Sequence, residues 1–86
     1  MTVIYDKVAV IGMGLIGASI ALAARRGGLA TTIIGSDQSP EVATAVARLQ
    51  LVDSFEADAV RAVADADLVI LAVPVGAVGR IAEQIL

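Results

Sequence analysis

Apolar residues along this chain arrive in short blocks, each closed by glycine, proline or a small polar cluster. The first, Val8–Ile11, is a short apolar run that predicts a strand opening near Lys7 and cut by Gly12. Good helix formers then run from Leu15 to Arg26, and the pair Gly27–Gly28 stops them. "TTIIGSD", Thr31–Asp37, reads as a second strand. Ser39 and Pro40 form an N-cap and first-turn pair, with Glu41 adding favourable charge, so a helix is expected through about Leu49. A short third strand is expected near Ser54 and Phe55, and a short helix over Asp58–Ala64. Leu68–Val73 reads as a strand ended by Pro74, and a last helix begins at about Val78.

Strand and helix alternate with short connections. That order predicts an α/β fold with a parallel sheet and helices on both faces, of the doubly wound Rossmann type. Such a sheet has about six strands, whereas this pattern supplies three to four. The last helix also carries no stop signal before Leu86. Residues 1–86 are therefore expected to be the amino-terminal part of a dinucleotide-binding domain, its remainder lying beyond residue 86.

Composition sharpens this picture. The chain is 58% hydrophobic over 86 residues, with one Phe, one Tyr and no Trp, a mixture suited to helices packed closely on a buried sheet. Net charge is −3 with no basic run, so nothing points to nucleic acid; Arg25 and Arg26 fit a helix end complementing its dipole. The absence of Cys and His removes disulfides, thiolate metal sites, the commonest metal ligand and the commonest general base. No metal site and no catalytic residue are expected, and a reducing cytoplasm is compatible. The uncharged stretch Val8–Ala24 spans 17 residues, short of the roughly 20 a membrane-crossing helix needs. It also lacks the basic start of a signal peptide.

Within that stretch Gly12, Gly14 and Gly17 follow the spacing G-x-G-x-x-G between a predicted strand and a predicted helix. In this context the spacing has a mechanism: Gly12 permits the tight turn, Gly14 lets a pyrophosphate approach the backbone, and Gly17 lets the helix pack close to the strand. The N–H groups of Met13, Leu15 and Ile16 are expected to face the phosphates, aided by the helix dipole. Asp37 ends the second strand 20 positions after Gly17, where a carboxylate can accept hydrogen bonds from ribose hydroxyls. It would repel a 2′-phosphate, and the sequence shows no Arg or Lys beside it. NAD is therefore favoured, with NADP possible.

Pro74 closes a strand expected beside the first, where the strand order reverses and ligands bind. Val73 and Pro74 are accordingly expected to form an apolar wall near the nicotinamide end. Asp65 and Asp67 read as solvated turn residues, and Arg80 with Glu83 as a surface helix pair worth little.

The stretches "KVAVIGMGLIGASIALAARRGGL", "IIGSDQSPEVATAVARL" and "ADADLVILAVPVGAV" together resemble the amino-terminal domain of prephenate and arogenate dehydrogenases. The resemblance covers almost the whole chain, and "GLIGASIALA" with "LAVPV" carries most of its specificity. It implies NAD(P)-dependent oxidative decarboxylation of prephenate or arogenate in tyrosine biosynthesis. Hydride leaves the carbon bearing the ring hydroxyl, which becomes a ketone, and loss of the ring carboxylate restores aromaticity. The implied cofactor positions are Gly12, Gly14 and Gly17 at the phosphates, Asp37 at the ribose, and Val73 and Pro74 beside the nicotinamide half. The family's histidine and substrate-holding arginines have no counterpart here, so a helical substrate and dimerisation domain is expected beyond residue 86, and the 86-residue chain alone is expected to be inactive. Two alternatives share these features: another two-domain dehydrogenase, acting on a β-hydroxy acid, and a regulatory NAD-sensing module like those that gate potassium channels.

Overall fold

A computed structural model describes residues 5–86. Its elements are β1 (Tyr5–Ile11), α1 (Leu15–Arg26), β2 (Ala30–Ser36), α2 (Pro40–Leu49), β3 (Ser54–Glu56), α3 (Ala59–Ala62), β4 (Leu68–Leu71) and α4 (Val75–Ile85). The four strands are all parallel, in the order β3-β2-β1-β4. This is the 3-2-1-4 order of a doubly wound sheet, and the reversal falls between β1 and β4.

Alternation along β1 divides the core in two. Val8 and Val10 face one side, where with Ile33 they pack against Ala21 and Ala24 of α1 and Val46 of α2. Ala9 and Ile11 face the other, where with Ile34 they meet Ala62 of α3 and Ile81 of α4. Both faces of β1 are covered, which is why its sequence is a continuous apolar run rather than an alternating one. Val8, Val10 and Ile33 are almost fully buried, and each contributes about 1.5–3 kcal/mol by leaving water. On α1 the buried positions are Gly17, Ala21 and Ala24, spaced i, i+4, i+7. This stripe of the smallest residues lets the helix axis lie close to the sheet.

Two of the sequence expectations move at the β4–α4 junction. β4 ends at Leu71 rather than Val73. Its last partner contact is Ala72 N–H donating to the Ile11 carbonyl at 2.8 Å; beyond it β1 turns away at Gly12 and Val73 has no strand to pair with. α4 then starts at Val75, not Val78. Pro74 is its N-cap, and the Pro74 carbonyl accepts from Ala77 N–H at 2.8 Å. The short helix predicted over Asp58–Ala64 is one turn, Ala59–Ala62, capped by Asp58 accepting from Val60 N–H at 2.9 Å.

Two carboxylates pin the sheet. Asp53 accepts from the Ile33 N–H at 2.7 Å and pairs with Arg25 at 3.2 Å, tying the end of α1 to β2 and the approach to β3. Asp67, expected as a solvated turn residue, accepts from both Asp6 and Lys7 N–H at 2.9 and 3.0 Å. It fastens the entry of β4 to the start of β1.

Candidate cofactor site

The turn after β1 is built on two glycines that the chain itself requires. Gly12 has φ +94°, and a Cβ there would lie 2.8 Å from Val73 Cγ1. Its N–H donates to the Ser36 carbonyl at 2.7 Å, holding the turn across the end of β2. A Cβ on Gly17 would collide with the Gly12 carbonyl oxygen, so α1 can pack onto the turn only with glycine at that position.

Gly14 differs. Its φ is −68° and a Cβ there would meet nothing within 4 Å, so the space above it lies open. Gly14 is also the N-cap of α1 and offers no side-chain hydrogen bond to the first turn, which holds no acidic residue. The helix thus presents the N–H groups of Leu15 and Ile16, with the positive end of its dipole, to whatever occupies that space. Leu15 and Ile16 are 86% and 68% exposed, so their side chains stand in solvent beside the cradle and leave its backbone accessible. Met13 behaves otherwise than expected. Its side chain is buried in the core and its N–H is taken by Asp37 Oδ2 at 2.9 Å, leaving no free donor for a phosphate. The sequence hid this because the partner lies 24 residues away.

Asp37 stands half-buried just past β2. Its other oxygen accepts from Ser39 N–H at 2.9 Å, in the turn that leads into α2. Each carboxylate oxygen keeps a second lone pair, so Asp37 can hold the glycine turn and still accept from a diol.

Asp37 opens onto a cleft of about 740 Å³ at the carboxyl ends of β1, β2 and β4. It is lined by Gly12, Ser36 and Gln38, by Val73 and Pro74, and by residues of α3 and α4. Val73 and Pro74 therefore share a cleft with the ribose candidate Asp37. Arg80 corrects an expectation. It forms no ion pair with Glu83; the ion pairs among the described residues are Arg25–Asp53 and Arg61–Asp58. Instead it lines the same cleft as Asp37, on the face of α4 that carries Ala77, Arg80, Ile81 and Gln84, with α4 packed beside α3. The spacing i, i+3, i+4, i+7 was readable in the sequence; that this face lines the same cleft as Asp37 was not. Among the described residues no helix is long and apolar enough to cross a membrane, and no cluster of three potential metal ligands occurs.

A parallel sheet in this order, a glycine turn at the switch point and an acidic residue after β2 define a Rossmann-type nucleotide-binding domain. Residues 20–86 match the family described as prephenate dehydrogenase, nucleotide-binding domain, and the chain belongs to it. The chain is 37% identical to prephenate dehydrogenase of Lactococcus lactis subsp. cremoris over 79 residues, 92% of this chain and 22% of that protein. It superposes on prephenate dehydrogenase from A. aeolicus, solved in complex with hydroxyphenyl propionate and NAD+, with a TM-score of 0.83 and 29% identity. That match covers 92% of this chain and 28% of the other. Synechocystis arogenate dehydrogenase gives a TM-score of 0.82 and 30% identity, covering 92% of this chain and 27% of that one. The chain thus spans roughly a quarter of the length of these relatives. It is an NAD(P)-binding domain homologous to the dehydrogenases of tyrosine biosynthesis.

Proposed function

We propose that this domain holds NAD for the oxidative decarboxylation of prephenate or arogenate. The observation that carries the reading is the uncapped amino end of α1 over Gly14, opening beside the Asp37 cleft. The donors there suit a pyrophosphate, the open space above Gly14 suits its close approach, and the remaining lone pairs of Asp37 suit a ribose diol. Gly12 and Gly17 hold the turn in shape, while Leu15 and Ile16 supply the phosphate-facing N–H groups. Met13 acts one step back, since its N–H bond positions Asp37. Val73 and Pro74 give the cleft an apolar wall that keeps water from one side of the dinucleotide.

A bound nicotinamide dinucleotide supplies a hydride acceptor. This chain's own contribution is binding and orientation, which fix the distance and face presented to the substrate. The base that takes the hydroxyl proton and the cations that hold the substrate carboxylates are proposed to come from sequence beyond residue 86, in a helical domain that also forms a homodimer. NAD is preferred over NADP because Asp37 meets a 2′-phosphate with like charge. A cytoplasmic location fits the lack of cysteine.

The test is NADH formation at 340 nm by the full-length protein with prephenate and with arogenate. Turnover with at least one of them, faster with NAD than with NADP, is expected. Absence of turnover with both substrates and both cofactors refutes the proposal.

A further inference from the structure

Met13 is buried, although its neighbours Gly14 and Leu15 stand in solvent. Its side chain leaves the glycine turn and joins the core cluster of Ile33 and Val46. A Cβ on Gly35 would lie 3.1 Å from both Met13 Cγ and Met13 Sδ, and 3.1 Å from Val52 Cγ1. The thioether therefore fills the place where a side chain at position 35 would stand. Gly35 is buried inside β2, opposite Val10 of β1 and Phe55 of β3. Glycine weakens a strand interior and marks a close approach by another group; here that group is Met13. Two residues further on, Asp37 Oδ2 accepts from Met13 N–H at 2.9 Å. One residue thus grips the end of β2 twice, by its side chain at Gly35 and by its backbone at Asp37.

We propose that Met13 is a positioning residue for Asp37: its side chain, seated against Gly35, fixes the turn so that the Met13 N–H aims the carboxylate at the ribose. This rests on the reading of Asp37 as ribose acceptor given above. An unbranched, adaptable thioether suits an irregular slot of this kind. With the slot empty, Gly12 N–H still ties the turn to the Ser36 carbonyl at 2.7 Å, but Met13 N–H is free to swing from Oδ2. The carboxylate then keeps Ser39 N–H as its tether and rotates about it. The loss falls on the ribose hydroxyls, whereas the phosphates keep the Leu15 and Ile16 N–H groups at the start of α1.

The experiment is calorimetric titration of the full-length protein and its Met13→Ala, Met13→Leu and Gly35→Ala variants with NAD and with its 2′-deoxyadenosine analogue. Circular dichroism reports whether each variant folds. The unsubstituted protein should bind NAD roughly tenfold tighter than the analogue. Met13→Ala, which empties the slot, should cut that ratio to about threefold or less by weakening NAD while the analogue keeps its affinity. Gly35→Ala, whose methyl displaces the thioether, should do the same. Met13→Leu refills the slot and should keep the ratio near that of the unsubstituted protein. A residue that only fills the core moves both ligands together. An unchanged ratio in folded Met13→Ala and Gly35→Ala therefore overturns the proposal, and so does a Met13→Leu ratio as low as that of Met13→Ala. Should Met13→Ala not fold, Gly35→Ala decides by the same ratio; if neither folds, the pair serves the core alone and the proposal falls. Equal affinity of the unsubstituted protein for NAD and the analogue would instead remove Asp37 from the ribose, refuting the reading on which this inference rests.

Discussion

Replacing Gly17 with alanine adds one methyl group to the interior of α1. By helix propensity alone it should stabilise the chain by about 1 kcal/mol. The structure reverses that sign. The new Cβ would overlap the Gly12 carbonyl oxygen, lie 2.9 Å from its carbon, and stand 3.5 Å from Ala72 Cβ. The obstacle is backbone, and it cannot retreat: Gly12 N–H is bonded to Ser36 at 2.7 Å, and Val73 crowds its other side. Relief requires α1 to lift from the sheet, which uncovers Ala21 and Ala24. Overpacking of this kind costs about 1–3 kcal/mol and outweighs the propensity gain. Urea unfolding followed by far-UV circular dichroism should show a clearly lowered midpoint. A midpoint equal to or above that of the unsubstituted chain refutes the packing argument. Gly14→Ala is the control. Its Cβ meets nothing within 4 Å, so stability should fall only by the modest difference between glycine and alanine at an N-cap, under about 1 kcal/mol. NAD affinity should nevertheless fall by roughly tenfold or more, because the methyl stands where the pyrophosphate must approach.

The other predictions concern the frame around the site. Asp53→Ala strands the Ile33 N–H and should cost about 1–3 kcal/mol in urea unfolding. Asp53→Asn keeps an acceptor and loses only a half-exposed ion pair, so it should cost under about 1 kcal/mol; equal losses would show that the charge, not the hydrogen bond, matters. Gly79→Ala, in α4 with open space around its added Cβ, should raise stability by about 0.5–1 kcal/mol, measured the same way. Ser39→Ala removes the side chain that accepts from Val42 N–H at 3.3 Å and should cost about 1 kcal/mol, seen as a lowered midpoint without change in NADH-forming activity per folded molecule.

The elements that the sequence made legible are those whose signals are local. The apolar run of β1, the Gly27–Gly28 stop of α1 and the Ser39–Pro40 start of α2 each act within a few residues, and each stands where it was expected. The β4–α4 junction was misread because its geometry is decided elsewhere. The β-branched Val73 favours a strand, and Gly76 and Gly79 disfavour a helix, yet the turn at Gly12 removes the strand partner and Pro74 opens the helix early. The site divides in the same way. Gly12, Gly14 and Gly17 were readable because their spacing encodes a turn. Arg80 was not, because its place in the cleft that Asp37 also lines depends on how α4 packs beside α3.

Asp37 shows why the glycine turn and the proposed ribose site act as one unit. Its two oxygens receive N–H groups from opposite sides, Met13 in the glycine turn and Ser39 in the turn toward α2. Removing the carboxylate therefore frees the glycine turn as well as the proposed ribose contact, and Asp37→Ala alone cannot separate the two effects. Asparagine does not solve this, since its amide nitrogen would face an N–H donor on one side. The cleaner perturbation is on the ligand. A 2′-deoxy analogue of NAD leaves the Asp37 bonds to Met13 and Ser39 intact and removes a single hydroxyl donor. Charge-assisted hydrogen bonds contribute about 1.5–3 kcal/mol, so the analogue should bind roughly tenfold or more weakly than NAD. The deficit should disappear in Asp37→Ala, where the hydroxyl has lost its acceptor in both ligands. A deficit of equal size in that variant places the hydroxyl on another group and removes Asp37 from the ribose site, leaving it only the task of holding the turn.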